Sequence, residues 1–299
     1  MIITMPPPLS SPPPQFDAVP ATFSRDCLQP SSENLDRDAI SKLNVLTFRY
    51  SHYAQRRYRG WGSWGFTVLR TVYTPESDML FPLAMERLRR VVEYWCHWTR
   101  YPGMGASCQE YKVEDTAYND ELFKRFWLDA VEDREGLGGL DSSSGRDEGE
   151  RFGLLAEYFR RWCEGTDTQS DTGDVRDKDP RFTSCLVVDG ESLAALVQIP
   201  EEVPPLRCAT TRAEKADWLG TGDPGWLWLV EARYMALPAD QREDVWGGSR
   251  TYPGWLRVEP CHLFSVWTGH WDLNDSDREA CLSHAKVPEG SGLYVYSPR

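Results

Sequence analysis

Thiol and imidazole ligands sit close together at three places in the chain: Cys96-His97, Cys261-His262 and Cys281-x-x-His284. A zinc site needs four donors at tetrahedral reach, usually delivered in pairs two to four residues apart. Only Cys281 and His284 have that spacing, and neighbours such as Cys261 and His262 are expected to point apart, so neither a metal nor another cofactor is expected. A cysteine nucleophile with His97, His262 or His270 as its base is chemically conceivable. No spacing selects a pair, and no residue is assigned a catalytic role. The phosphate loop G-x-x-x-x-G-K-[ST], the dinucleotide turn G-x-G-x-x-G, the G-x-S-x-G elbow, the H-E-x-x-H motif and the deaminase pattern are all absent. Gly136, Gly138 and Gly139 stand in an acidic loop after a helix, the wrong context for a dinucleotide turn.

Charged residues inside apolar strands are the other chemical signal, because burying them is costly unless they are paired or used. Side chains alternate across a strand. By that parity the helix-covered face of a sheet takes the purely apolar sets. The opposite, open face would then carry Thr67, Thr71, Tyr73, Glu231, Arg233, Trp255, Arg257 and Glu259. Arg70 conflicts with this scheme, since it shares a face with Phe66, Val68 and Val72. Buried, it needs a carboxylate partner, and Glu231 and Glu259 are the candidates considered. Arg70, Tyr73, Glu231, Arg233, Trp255, Arg257 and Glu259 are therefore the candidate ligand or partner contacts.

The elements that position these residues follow from punctuation and periodicity. Apolar spacing predicts a helix from Leu35 to Arg59. The β-branched and aromatic run Phe66–Tyr73 predicts a strand. Thr74-Pro75-Glu76-Ser77-Asp78 ends it and caps a helix to about Trp98, with Leu80 or Phe81, Ala84, Leu88, Val91, Val92 and Trp95 inward. Residues 99–118 read as a loop. A helix from Asn119 or Asp120 to about Val131 is expected next, with Leu122, Phe123, Phe126, Trp127 and Ala130 inward. Another runs from about Glu150 to Trp162. Strands are expected at Thr183–Val188, Trp226–Tyr234 and Trp255–Glu259, with a short helix at Glu191–Val197 and a helix from Pro260 to about Trp267. Leu293–Tyr296 is a candidate edge strand.

Strands that do not alternate strictly with helices predict an α+β fold. The expected form is a mainly antiparallel sheet of about four strands with helices on one face, ferredoxin-like with insertions. It would form a single domain over residues 36–299, behind a disordered Pro/Ser-rich leader at residues 1–35. Mobile acidic insertions are expected near 136–149 and 166–180.

Trp64-Gly65-Phe66-Thr67-Val68-Leu69-Arg70-Thr71-Val72-Tyr73, followed by Ser77-Asp78 and a long amphipathic helix, resembles the opening of an uncharacterised family of filamentous-fungal proteins. That family shows a W-G-F-T-x-x-R-T-x-Y strand leading into a helix. Leu186-Val187-Val188-Asp189-Gly190-Glu191 resembles its later strand and acidic turn. Gly254-Trp255-Leu256-Arg257-Val258, with Leu263 to Trp267, resembles its final strand and helix. The resemblance covers roughly residues 60–268 in pieces. It implies an origin and a unit of fold, and carries over no catalytic residue.

Composition bounds what the whole can do. The 299 residues include 33 basic and 46 acidic side chains, a net charge of −13. That balance opposes non-specific binding to nucleic acid or anionic membrane. Residues 39–75 run against it, with six bases and no acid, and with Tyr58, Trp61 and Trp64 they form the weaker nucleic-acid candidate. No apolar run approaches the ~18 residues of a membrane span and no secretory signal is recognisable. The eight cysteines form no C-x-x-C pair and read as free, mostly buried thiols. A cytoplasmic or nuclear location follows as the expectation. The functional expectation is a non-catalytic protein acting through contacts of its open sheet face with another protein or a second copy of itself. The alternative is a small-molecule binder or enzyme with a pocket between the sheet and the C-terminal helix.

Overall fold

A computed structural model describes residues 64–98, 117–165, 180–202, 225–242, 244, 251–270, 285–287 and 295–296. The proline-rich leader, the expected helix from Leu35 to Arg59, most of the basic block, the acidic stretch 166–179 and the Cys281-x-x-His284 pair lie outside these residues.

Strand β1 (Trp64–Arg70) is buried along its whole length and lies inside the sheet. Ser77 and Thr74 then stop the strand and start a helix. The Thr74 amide donates to Ser77 Oγ (2.7 Å) and the Ser77 amide to Thr74 Oγ1 (3.1 Å), a reciprocal cap ahead of Pro75 in the first turn. Helix α1 (Pro75–Trp98) follows, with Phe81, Ala84, Leu88, Val91 and Val92 buried at helical spacing. Helix α2 (Ala117–Lys124) leads into β2 (Phe126–Val131), which pairs parallel with β1 over six residues. The ladder brings the two backbones so close at Gly65 that a Cβ there would lie 1.7 Å from the Trp127 carbonyl oxygen. Its φ of +144° also excludes an ordinary side chain.

The short helix α3 (Arg134–Leu137) and a 3-10 turn at Ser142–Ser144 precede α4 (Glu148–Gly165). Leu137 and Leu140 anchor this glycine-rich stretch in the core. A one-turn helix α5 (Pro180–Thr183) enters β3 (Cys185–Val188), which pairs parallel with β1 on the side away from β2. Helix α6 (Gly190–Leu196) follows, opened by a capping box between Asp189 and Ser192. β4 (Leu227–Val230), α7 (Ala232–Met235), β5 (Trp255–Val258), a 3-10 turn at Pro260–His262 and α8 (Leu263–His270) come next. The two-residue strands β6 (Ala285–Lys286) and β7 (Val295–Tyr296) close the order.

The sheet order is β2-β1-β3-β4-β5-β7-β6. β2, β1 and β3 are mutually parallel, and β4 is antiparallel to both β3 and β5. The expectation of a mainly antiparallel sheet of about four strands is thus corrected to a mixed sheet, five of whose seven strands have four or more residues. The Asn119–Val131 helix is also corrected: it ends at Lys124, and Phe126–Val131 is a strand. Phe126, Leu128 and Ala130 alternate onto one core while Val131 faces the other, and pairing with β1 outweighs the local helical spacing. The strand expected at Trp226–Tyr234 stops at Val230, and Ala232–Met235 is helical.

Helices cover both faces of the sheet. One core joins Phe66, Val68, Leu186, Leu227, Leu229, Leu256 and Val258 to α1, α6 and α8. A second joins Leu69, Val187, Trp228 and Val230 to Phe152, Leu155, Phe159 and Trp162 of α4. β2 and β3 flank β1 on opposite sides. Crossovers of one hand must then run over opposite faces, as α1 and α4 do. The face expected to be open is the one α4 covers.

Candidate functional site

The strands β1, β2, β3 and β5 all point the same way, so the segments that follow them leave the sheet at one edge. β1 feeds α1 on one face and its neighbour β2 feeds α4 on the other, so side chains from both layers gather at the carboxyl ends of these two strands.

Arg70 closes the end of β1. It is 4 % exposed, and each guanidinium nitrogen is occupied. Nε donates to the Val72 carbonyl (3.0 Å), Nη1 to Glu132 Oε2 (2.8 Å), and Nη2 to Ser77 Oγ (3.3 Å) and Asp78 Oδ1. The guanidinium also lies over the rings of Tyr73 (4.8 Å) and Phe81 (4.7 Å). Arg134, at the start of α3, bridges to Asp78 Oδ2 (2.8 Å) and also lies over the Tyr73 ring, 5.5 Å from its centroid. Tyr158 of α4 donates its hydroxyl to Asp133 Oδ2 (2.8 Å), the residue that caps α3. Tyr73 is different. Its hydroxyl is buried, its oxygen meets at most a poorly aligned Asp133 backbone amide, and its proton has no acceptor among the described residues. Burial is the main reason both phenols hold their protons far above the ordinary tyrosine range. Nearby Arg70 partly offsets this at Tyr73, the charges of Glu132 and Asp133 add to it, and the Asp133 backbone amide lowers it slightly. At Tyr158 the hydrogen bond to Asp133 adds to it. The cluster at the ends of β1 and β2 therefore holds two neutral phenols, one of them with an unused donor.

The N-terminus of α1 opens here too, the position where dinucleotide folds hold a phosphate. In this chain it is closed to an anion. Thr74 and Ser77 cap the first amides, and Glu76 and Asp78 load the first turn with negative charge.

One strand further along, Asp189 follows β3 and is 0 % exposed. Its Oδ2 accepts from Arg151 Nη1 (2.7 Å) and Trp228 Nε1 (2.9 Å), and its Oδ1 from the Ser192 amide (2.9 Å) and hydroxyl (2.8 Å). Asp141 Oδ1 accepts from the Gly190 amide beside it (2.9 Å). Burial raises the Asp141 pKa, but hydrogen bonds from Ser143, Gly190 and Ser142 outweigh it and hold the carboxyl below its ordinary value.

The seven residues singled out from sequence do not form one site. Arg70 and Tyr73 meet in the β1–β2 crevice, but Arg70 pairs with Glu132 and Asp78 rather than Glu231 or Glu259. Glu231 is buried behind β4 and accepts from the Tyr252 hydroxyl (2.6 Å). Arg233 is exposed on α7. Trp255 stacks on Phe152 of α4 (5.0 Å), and Arg257 lies over the Trp226 ring at 3.8 Å and reaches Glu191 at 3.4 Å. Both belong to the covered face. Glu259 follows β5 and accepts from the Cys261 thiol (3.3 Å), with His262 Nε2 3.9 Å away. Those three residues are the one group of metal-capable donors brought together among the described residues. Sequence reasoning missed Glu132, Asp133, Arg134, Tyr158, Arg151 and Asp189. Of these, only Asp189 carried a signal, as the acidic turn after an apolar strand.

Cys96, Cys163, Cys185 and Cys261, the cysteines among the described residues, form no disulfide. Burial raises the Cys185 thiol pKa well above its ordinary value, with a smaller contribution from Cys163, which makes it a poor nucleophile. No helix among the described residues is long and apolar enough to cross a membrane. Comparison with family models, with curated proteins and with solved structures found no match to this chain.

Proposed function

We propose that this protein binds a small, polar, uncharged or cationic molecule in the crevice outside the carboxyl ends of β1 and β2. The observation that carries the reading is the Tyr73 hydroxyl, whose proton is buried without an acceptor among the described residues at the point where the chain diverges to opposite faces. Leaving a buried hydroxyl unpaired costs about 1–3 kcal/mol, and such a cost is retained where a donor serves a ligand. Charge selects the ligand class. Arg70 and Arg134 face Asp78, Glu132 and Asp133, a negative balance, and the capped, acid-loaded start of α1 rejects phosphate. Nucleotides are therefore disfavoured, and acceptor-rich neutral or cationic molecules fit. A ligand reaches Tyr73 by displacing the exposed side chain of Arg134. Contact through an open sheet face forms no part of this reading, because α4 occupies that face.

The test is native mass spectrometry of the full-length chain recovered gently from its own cells, compared with Tyr73→Phe. The variant removes the unpaired hydroxyl and nothing else, so its stability should match or exceed that of the wild type by up to ~1 kcal/mol. The expected result is a small-molecule mass excess on the wild type that the equally stable variant lacks. A bare wild type, or an adduct that persists in Tyr73→Phe, overturns the proposal.

A further inference from the structure

The turn after β5 gathers three donors of three chemistries. Glu259 Oε2, Cys261 Sγ and His262 Nε2 come from four consecutive residues, and all lie within 4.8 Å of one another. Local geometry explains why adjacent Cys261 and His262 do not point apart here. Pro260–His262 is a 3-10 turn, in which residues three apart stack on one side. Glu259 and His262 are three apart, and the Cys261 thiol turns towards the same carboxylate.

We propose that Glu259, Cys261 and His262 form a three-ligand site for a borderline-soft divalent cation, zinc in the first place, with a fourth position left to water or an external ligand. The separations carry the argument. With zinc bonds of ~2.0–2.3 Å, a tetrahedral site sets its donors about 3.3–3.8 Å apart. The sulfur–carboxylate distance is 3.3 Å and the imidazole–carboxylate distance 3.9 Å, so two of the three edges already stand near the required length. The donor set selects the ion. Thiolate and imidazole suit zinc, while magnesium and calcium prefer all-oxygen ligands. All three residues are half-buried, which limits hydration of the donors yet leaves an approach for the metal. Binding requires the thiolate, so the Cys261 proton now shared with Glu259 passes to solvent and affinity tightens as pH rises. The site rests on different residues from the β1–β2 crevice, and either can fail alone.

The test uses the full-length, untagged chain, first stripped with chelator. Thermal unfolding is read with and without zinc, and with magnesium. Cobalt(II) serves as a coloured substitute whose thiolate charge-transfer band reports sulfur ligation. The expected result is a rise in melting temperature with zinc and none with magnesium, together with a cobalt–thiolate band. Cys261→Ser abolishes both the band and the zinc shift. His262→Gln and Glu259→Gln, which keep side-chain size, each weaken zinc binding by more than the ~10–100-fold lost when an outer-sphere partner is removed. Tyr73→Phe keeps the full zinc response. Because each variant is compared with itself, with and without metal, a change in its own stability does not obscure the result. No zinc shift in the wild type, or a shift and cobalt band that survive Cys261→Ser, overturns the proposal.

Discussion

Two buried arginines stand near the ends of neighbouring strands, Arg70 at the end of β1 and Arg151 on α4 against the residue that follows β3, and they are satisfied in different ways. Arg151 meets Asp189 with both side chains at most 3 % exposed, and every oxygen of that carboxylate is matched by a donor. Arg70 is equally buried, but its partners Asp78 and Glu132 are 41 % and 52 % exposed. Beside it stands a phenol whose proton has no acceptor among the described residues. The first network is sealed and holds β3, β4, α4 and α6 in one register. The second is sealed only on its inner side. Closed polar networks specify a fold, whereas a network with an unused buried donor leaves a place for another molecule.

The largest effect expected is at the sealed network. Asp189→Ala strands Arg151 inside the core, uncaps α6 and unpairs Trp228. A loss of about 3–5 kcal/mol is expected from breaking a buried pair, read as a lower urea midpoint. Arg151→Met combined with Asp189→Asn removes both charges and keeps an acceptor at the cap, so it should cost less than Asp189→Ala alone. A loss below ~1 kcal/mol for the single variant would show that the pair is not sealed and break the comparison.

Arg70→Met should cost less, about 1–3 kcal/mol, because Asp78 and Glu132 can return to water when their cation is removed. The same denaturation experiment decides it. If Arg70→Met is as damaging as Asp189→Ala, the crevice is as closed as its neighbour and the ligand reading loses its physical basis.

The contrast also marks what could be read from sequence. β1, α1, α4, β3, α6 and β5 were legible because each announces itself locally. Thr74 and Ser77 cap α1, Asp189 and Ser192 cap α6, and Phe66–Arg70 is rich in strand formers. β2 was hidden because Leu122, Phe123, Phe126, Trp127 and Ala130 also fit helical spacing, and only pairing with β1 resolves a short apolar run. That one misassignment concealed the β1-α-β2-α-β3 alternation and with it the parallel half of the sheet. A signal against a one-sided sheet was present nonetheless: Cys185–Val188 and Leu227–Val230 are apolar at every position, as strands covered on both faces are. Arg70 stood out through its conflict of parity, but Glu132 could not be named as its partner while its strand was read as helix. Arg151 and Asp189 are 38 residues apart, and no local pattern joins them.

The smallest effect expected appears only in alkali. Tyr73 and Tyr158 are held neutral in the fold, chiefly by burial, whereas in the unfolded chain they ionise near pH 10. Raised folded values mean that their contribution is complete below that pH. It is lost progressively as pH climbs from about 10 towards the folded values, since the unfolded state then binds fewer protons than the native one. At neutral pH the two phenols contribute no pH dependence at all. Urea midpoints of the wild type should therefore fall above pH ~10. The double variant Tyr73→Phe, Tyr158→Phe should fall less steeply, with the other tyrosines common to both proteins cancelling in the difference. Tyr158→Phe alone should also lower stability slightly at neutral pH, because it removes the donor to Asp133 Oδ2 while the Gly136 amide still holds Oδ1, whereas Tyr73→Phe should not. That opposition within one crevice sharpens the comparison between satisfied and unsatisfied groups. Equal neutral-pH costs for the two single variants would mean that Tyr73 has a partner after all, and its hydroxyl would no longer mark a ligand site.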